Sequence, residues 1–327
     1  MPHTFPRRAA LALAAFTLLG APAAQAQGSD YPNKPIRLIA PFPTGSGPDA
    51  NAREIAAELT KVLGQTVIVD NRPGAAGLIG TDAGAKAAPD GYTLLVGTTS
   101  SMSVLPHIQA KLPFHVERDF APVSLLGLLN TGLIAHPAVP FQTAKELIAQ
   151  AKAKPDSITV GVQGIGSYSH LAGEWFAASA AAPLKFVPYN TTSVYGDLLA
   201  GQVQLMFDGL PAAVGNIRGG KLKLLALTGK ARHPAFPDTP TFAEAGLPDY
   251  APTAWQGILA PAATPRAIIE KLSAAMQKAV QNPQLAEKWR NYGGELKATT
   301  PAEFAAFLKQ DNAMWGKAIR EAGVKID

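Results

Sequence analysis

The chain has 327 residues, 47% of them hydrophobic and 16% charged, and no cysteine. This excludes a disordered tail, a disulfide scaffold and a thiol enzyme, and at roughly 150 residues per domain it points to about two domains with ample apolar material for their cores. The formal charge is +5, or +3 without Arg7 and Arg8 (27 basic against 24 acidic residues), which is too mild and dispersed for a nucleic-acid partner and licenses only a slight preference for anions.

Arg7 and Arg8 precede an uncharged run from Ala9 to Gly20, and Ala24-Gln25-Ala26 places small residues on the near side of a bond before Gln27. That layout predicts a secretory signal peptide over residues 1–26, cut after Ala26. The run is too short for a membrane anchor, which needs about 20 apolar residues. The Arg pair leaves Sec and twin-arginine export both open. A second uncharged stretch, Phe120 to Ala144, is broken by Gly127, Asn130, Gly132, Pro137 and Pro140, so it reads as two buried strands and not as a membrane span.

After a short linker the chain cycles between strands and helices. Ile36 to Ala40 is a strand, and a Pro/Gly loop leads to a helix with Ala52, Ile55, Ala56, Leu59, Val62 and Leu63 on one face, stopped by Gly64. Thr66 to Val69 is the next strand, Asn71 to Gly74 turns into an Ala/Gly-rich helix, and Tyr92 to Val96 is a third strand. The same grammar restarts after the uncharged stretch. Thr143 and Glu146 form a capping box; Ser157 to Val162, Leu184 to Val187, Val203 to Phe207 and Leu222 to Leu227 read as strands; Ser169 to Ala178 and Ser193 to Ala200 read as helices. Strands alternating with helices predict βαβ units and mostly parallel sheets flanked by helices. The final 75 or so residues change character: Thr264-Pro265 and Thr300-Pro301 start helices expected to pack back on the first lobe. The expected domains are therefore 27–125 plus 251–327 as a discontinuous first lobe and 126–250 as the second.

In open parallel sheets ligands bind beyond the carboxyl ends of the strands, so the strand-to-helix turns are where chemistry is sought. Phe42 to Asp49 carries Thr44, Gly45, Ser46 and Gly47, a turn able to aim backbone N–H groups at an oxyanion, or simply a tight turn with Asp49 as a first-turn carboxylate. Gly161 to His170 nearly spells a dinucleotide fingerprint, but Ser169 stands where the third glycine belongs. Gly164, Gly166, Ser167, Ser169 and His170 are read as an anion-accepting turn, with His170 either facing the cleft or capping and packing the helix. Thr98 to Ser101 is a hydroxyl-rich turn that offers Thr98 and Ser100 or is an ordinary capped turn.

Other chemistries fail on the residues. Gly215 to Lys221 matches a phosphate-loop spacing, yet Leu222 replaces the hydroxyl residue and a strand follows. There is no Gly-x-Ser-x-Gly elbow, and the histidines at 3, 107, 115, 136, 170 and 233 show no zinc-binding spacing. No metal, no cofactor and no catalytic residue is expected. The one enzymatic alternative is an exported serine hydrolase with Ser46, Ser167 or Ser169 as nucleophile and His170 as base.

Five separated motifs then occur in order. Tyr31 to Phe42, Val69 to Gly77, Ala88 to Leu94, Phe236 to Gly246 and Trp255 to Pro265 together resemble the Bug-type solute receptors of tripartite tricarboxylate transporters. The resemblance implies an α/β, two-lobed periplasmic binding protein-like fold of type II, a monomer in the periplasm that closes on a small organic acid and delivers it to integral membrane permease subunits. A variant of this role presents the ligand to a membrane sensor. The resemblance places the ligand between the loop Phe42 to Asp49 and the loop Gly164 to His170, with further contacts from the turn after the third strand and from the strand ending at Asp208. Two departures stand out: Gly45-Ser46 replaces the usual glycine pair, and Asn190-Thr191 replaces the usual Lys-Gly. Loss of that lysine argues against a tricarboxylate, and Asp208 could receive an ammonium or hydroxyl group.

Overall fold

The computed structural model describes residues 30–189 and 193–322. The segment expected to be a signal peptide, the candidate site residue Asn190 and its neighbour Thr191 lie outside the described residues. The first part of the chain runs β1 (Ile36–Ala40), α1 (Gly47–Leu63), β2 (Val67–Asn71), a 3-10 turn (Ala75–Gly77), α2 (Leu78–Ala85), β3 (Thr93–Thr98), a π-helical turn (Thr99–Val104), α3 (Leu105–Ile108), α4 (Val116–Asp119) and β4 (Phe120–Asn130). The middle part is β5 (Gly132–Ala135), α5 (Ala144–Ala153), β6 (Thr159–Val162), α6 (Tyr168–Ala180), β7 (Lys185–Pro188), α7 (Val194–Leu199), β8 (Leu205–Asp208), α8 (Val214–Arg218) and β9 (Lys223–Leu227). The chain then returns through β10 (Thr253–Pro261), α9 (Arg266–Ala279), α10 (Pro283–Asn291), β11 (Gly294–Leu296) and α11 (Pro301–Ala322).

These strands form two sheets, ordered β11-β4-β10-β3-β1-β2 and β7-β6-β8-β5-β9. Each is mixed. The strand–helix alternation supplies the parallel ladders β2-β1-β3 and β7-β6-β8, since a helix between two strands carries the chain back to run the same way. The antiparallel ladders involve β4, β5, β9, β10 and β11. β10 and β11 are absent from the sequence reading, because Gly257 and Pro261 interrupt the strand pattern and β11 has only three residues.

Alternation with a period of two divides the second lobe's core. Leu205 and Phe207 of β8, with Leu133 and Ala135 of β5, join Phe176 of α6 on one face. Met206 and Ile134 join Val194 and Leu198 of α7 on the other. The first lobe packs Ile39, Leu95, Trp255, Leu259 and Phe304 around its own sheet. Each such side chain contributes about 1.5–3 kcal/mol on burial. The uncharged stretch is one long and one short strand broken at Thr131, and no helix among the described residues is long and apolar enough to cross a membrane.

The chain passes between sheets at Thr131 and again between β9 and β10, and the two passages are bonded together. The Thr131 N–H donates to Thr228 Oγ1 (2.7 Å), the Thr228 N–H donates to Thr131 O (2.9 Å), and Thr131 Oγ1 donates to Pro252 O (3.0 Å). α9 packs on α1 and β4, within the first lobe. α11 does more than the sequence predicts: Trp315 and Ile319, near its end, enter the second lobe's core. Trp315 lies edge-on to Tyr168 and to Trp175 of α6, at centroid distances of 5.7 and 6.1 Å.

Candidate functional site

The carboxyl ends of β1 and β3 in the first lobe and of β6 and β8 in the second border one cleft, whose enclosed space for a water-sized sphere is about 30 Å³. Phe42, Gly47 and Pro48 follow β1, and Thr98, Thr99 and Ser100 close β3. Gln163, Tyr168 and Ser169 follow β6; Asp208, Gly209 and Pro211 close β8; Leu129 and Ala254 to Gln256 come from β4 and β10. Of the residues singled out from the sequence, Phe42, Gly47, Thr98, Ser100, Ser169 and Asp208 line this cleft. Thr44, Gly45, Ser46, Asp49, Gly164, Gly166, Ser167 and His170 do not.

In the first loop the polar groups are turned inward. Ser46 is fully buried as the cap of α1, accepting from the Asp49 N–H and donating to Pro43 O (2.7 Å). Asp49 accepts from the Gly45 N–H (2.9 Å), Asn71 Nδ2 (2.8 Å) and Arg53. The Gly45 N–H expected to meet a ligand is therefore taken by Asp49. Burial pushes the Asp49 carboxyl up, but the hydrogen bonds from Arg53, Asn71 and Gly45 and the Arg53 charge outweigh it and hold the group below its ordinary range. Asn71 Nδ2 also donates to Phe42 O (3.1 Å), so this locked loop fixes an aromatic wall of the cleft.

The second loop behaves alike. Ser167 caps α6, Ser167 and Ser169 share a hydroxyl hydrogen bond (2.9 Å), and Ser169 Oγ accepts from the Gln163 N–H (2.9 Å). His170 Nδ1 accepts from the Gly166 N–H (3.1 Å), its Nε2 lies 3.3 Å from Glu174, and its ring meets Phe186 edge-on. Gly164 and Gly166 have φ of +96° and +77°, the left-handed region that glycine enters freely. Histidine here supports the loop and faces neither serine hydroxyl. The third turn is capped too: Thr98 accepts from the Ser101 N–H, and Ser100 Oγ accepts from the Tyr168 N–H at 2.8 Å.

Asp208 is the one Asp, Glu, Lys or Arg lining the cleft among the described residues. It accepts from the Gly209 N–H (2.9 Å), Gln163 Nε2 (3.3 Å) and Tyr195 OH (3.3 Å). Burial raises its carboxyl to about 7, although the Gly209 and Tyr195 hydrogen bonds pull the other way. Sequence reasoning missed Gln163, Tyr168, Trp255 and Gln256. Gln163 stands one residue before the selected glycine and Gln256 within the Trp255 motif, so position near those motifs was the only available signal. No group of three or more metal-ligating side chains occurs among the described residues.

Two mixed α/β lobes joined by paired crossovers, with a cleft at the strand ends, define a periplasmic binding protein fold. Residues 51–324 match the tripartite tricarboxylate transporter family receptor. The chain is 35% identical to protein BugT of Bordetella pertussis over 306 residues, covering 93% of this chain and 94% of that one. Its fold is similar to the periplasmic binding protein BugD (TM-score 0.87, 32% identity, covering 90% of this chain and 99% of that one). It is equally similar to Rpa4515 of R. palustris with adipate (TM-score 0.87, 30% identity, 90% and 99% covered). The chain belongs to this family of Bug-type solute receptors.

Proposed function

We propose that the protein is a periplasmic receptor that binds a small organic acid in the cleft between its lobes and delivers it to the membrane permease of a tripartite tricarboxylate transporter. The observation that carries this reading is the lining itself: hydroxyls, amides, aromatic rings and helix starts from both lobes, with no lysine or arginine among the described residues. Neutral dipoles can hold one carboxylate without a salt bridge. A relative's structure with adipate supports the same ligand class. Export after cleavage at Ala26 places the mature chain in the periplasm; all of β4, to Asn130, sits in the first sheet, five residues past the boundary at 125 expected from the sequence, and β5 opens the second sheet at Gly132. Of the predicted contacts, Phe42, Gly47, Thr98, Ser100, Ser169 and Asp208 form the ligand's surroundings, while the loop residues behind them hold those positions.

A hydrolase reading lacks support, since both His170 ring nitrogens face partners other than serine hydroxyls. Thermal shift of the mature chain with adipate, succinate, malate and benzoate tests the receptor reading. Ligand at about 1,000 times Kd adds roughly 4 kcal/mol, and a flat response to every acid sinks it.

A further inference from the structure

Gln256 is among the cleft residues that sequence reasoning did not select. It is 2% exposed on β10, where it pairs in register with Thr98 of β3. Its Oε1 accepts from Asn51 Nδ2 at 2.7 Å, and Asn51 is itself fully buried in α1. That bond engages the oxygen end of the Gln256 amide, and Asn51 Oδ1 on its other side is buried without a hydrogen-bond partner. Gln256 Nε2 has no hydrogen-bond partner although it is buried. A buried amide N–H without an acceptor has lost its water and gained nothing in return. Side chains on a strand paired along both edges are rigidly placed, and this one, on β10 between β3 and β4, borders the cleft beside the start of α1.

We propose that Gln256 is a ligand-binding residue whose Nε2 donates to a carboxylate oxygen of the bound acid, with Asn51 as the positioning residue that holds the amide in that sense. The assignment rests on the carboxylate reading above and deepens it. The two side chains have complementary duties. Asn51 never needs to touch the ligand, and Gln256 supplies a neutral donor where the cleft has no cation. An acceptor-bearing group satisfies Nε2, whereas an ammonium or other pure donor at that end leaves it orphaned and adds repulsion.

Calorimetry on the mature chain with adipate, succinate, malate, benzoate and 6-aminohexanoate tests this. Gln256→Met removes the donor at similar volume, and Gln256→Glu keeps an acceptor for Asn51 while replacing the donor by an oxygen. Asn51→Asp offers only acceptors, so the Gln256 amide turns its N–H inward and its oxygen toward the cleft. For each acid that the wild type binds, all three variants are expected to weaken affinity about 10- to 100-fold, as for loss of a hydrogen bond to a charged group. In Gln256→Glu and Asn51→Asp the order between adipate and 6-aminohexanoate moves toward the amine, a change that a merely loosened fold does not produce. Should Gln256→Met unfold, the other two variants decide the matter. Wild-type affinity in the variants, or an equal loss for every probe with no change of order, overturns the role of Gln256 and leaves carboxylate binding standing. A wild type that binds none of the acids removes both readings.

Discussion

Ser100 Oγ of the first lobe accepts the backbone N–H of Tyr168 at 2.8 Å, at the first residue of α6 in the second lobe. The hydroxyl thereby stands at a helix start, where an anion is otherwise favoured, and ties the lobes together beside the cleft. Ser100→Ala is expected to weaken acid binding about 2- to 12-fold, the worth of one neutral hydrogen bond, and to lower stability by about 1–3 kcal/mol because the buried Tyr168 N–H loses this acceptor. Calorimetry with the tightest acid of the panel checks it. An unchanged affinity shows that the bond contributes nothing to closure.

Asp208 and Asp311 set a pH dependence of stability. Burial raises the first carboxyl to about 7 and the second to about 6, from an ordinary 3.8. Between the ordinary and raised values the folded chain holds more protons than the unfolded one. Their stabilisation is thus greatest at low pH and is lost as pH rises through about 6 to 7. Asp208→Asn is expected to exceed the wild type in stability by roughly 2–4 kcal/mol at about pH 8 and to match it near pH 4. Urea unfolding across that range measures the difference, and a gap independent of pH refutes the assignment.

Asp49 acts in the opposite direction. Its carboxyl lies below the ordinary value through its bonds to Arg53, Asn71 and Gly45, so its stabilisation is present above the ordinary carboxylate range and lost as pH falls through the lowered value. Asp49→Asn keeps the size but gives up the Arg53 ion pair and puts an N–H where an acceptor stood. A loss of about 1–3 kcal/mol near neutrality, fading in acid, is expected. Equal unfolding curves for variant and wild type at neutral pH contradict it.

A methyl group at Gly80 meets Arg72 O at 2.7 Å and Pro41 Cα at 2.8 Å. Both contacts are backbone, so neither neighbour can rotate away. Gly80→Ala is expected to cost about 1–3 kcal/mol by overpacking and, by displacing Pro41 and the adjoining Phe42 wall, to weaken acid binding as well. Denaturation and calorimetry read the two effects separately; a variant as stable as the wild type removes the steric argument.

Thr131 joins three segments at the crossover through its N–H to Thr228 and its Oγ1 to Pro252 O. Thr131→Val preserves shape and the N–H bond but leaves the buried Pro252 carbonyl short of a donor and takes the Thr131 Oγ1 partner from the buried Tyr168 hydroxyl. The expected loss is about 1–3 kcal/mol, seen as a lower urea midpoint at unchanged slope. A slope that falls as well indicates that the lobes have begun to unfold separately.

The parts of this molecule that follow from local chemistry were legible in its sequence. Gly64 ends α1 in a left-handed conformation, Thr143 caps α5, and the alternation of Val203, Leu205 and Phe207 marks the strand that ends at Asp208. Bounds shift by a residue or two, as helix and strand ends do. The π-helical form of Thr99–Val104 and the left-handed Ala75 and Ala76 have no such local signature. The site divides along the same line. Glycine and serine loops marked out turns that border the cleft, but whether Ser46, Asp49 and His170 serve a ligand or their own loop depends on partners as distant as Asn71 and Phe186. Gln256 was beyond reach because its meaning comes from Asn51, 205 positions away.

Trp315 on α11 is 1% exposed between Tyr168 and Trp175. In a receptor that closes on its ligand, as the family resemblance implies, swinging the lobes apart would part or slide this aromatic joint, although none of α11 borders the cleft. Such a joint would then bias the closed population, and apparent affinity equals intrinsic affinity scaled by that population. Repacking a remote helix can then retune how tightly the receptor holds its cargo, and how readily it lets go, without altering one atom of the chemistry that recognises it.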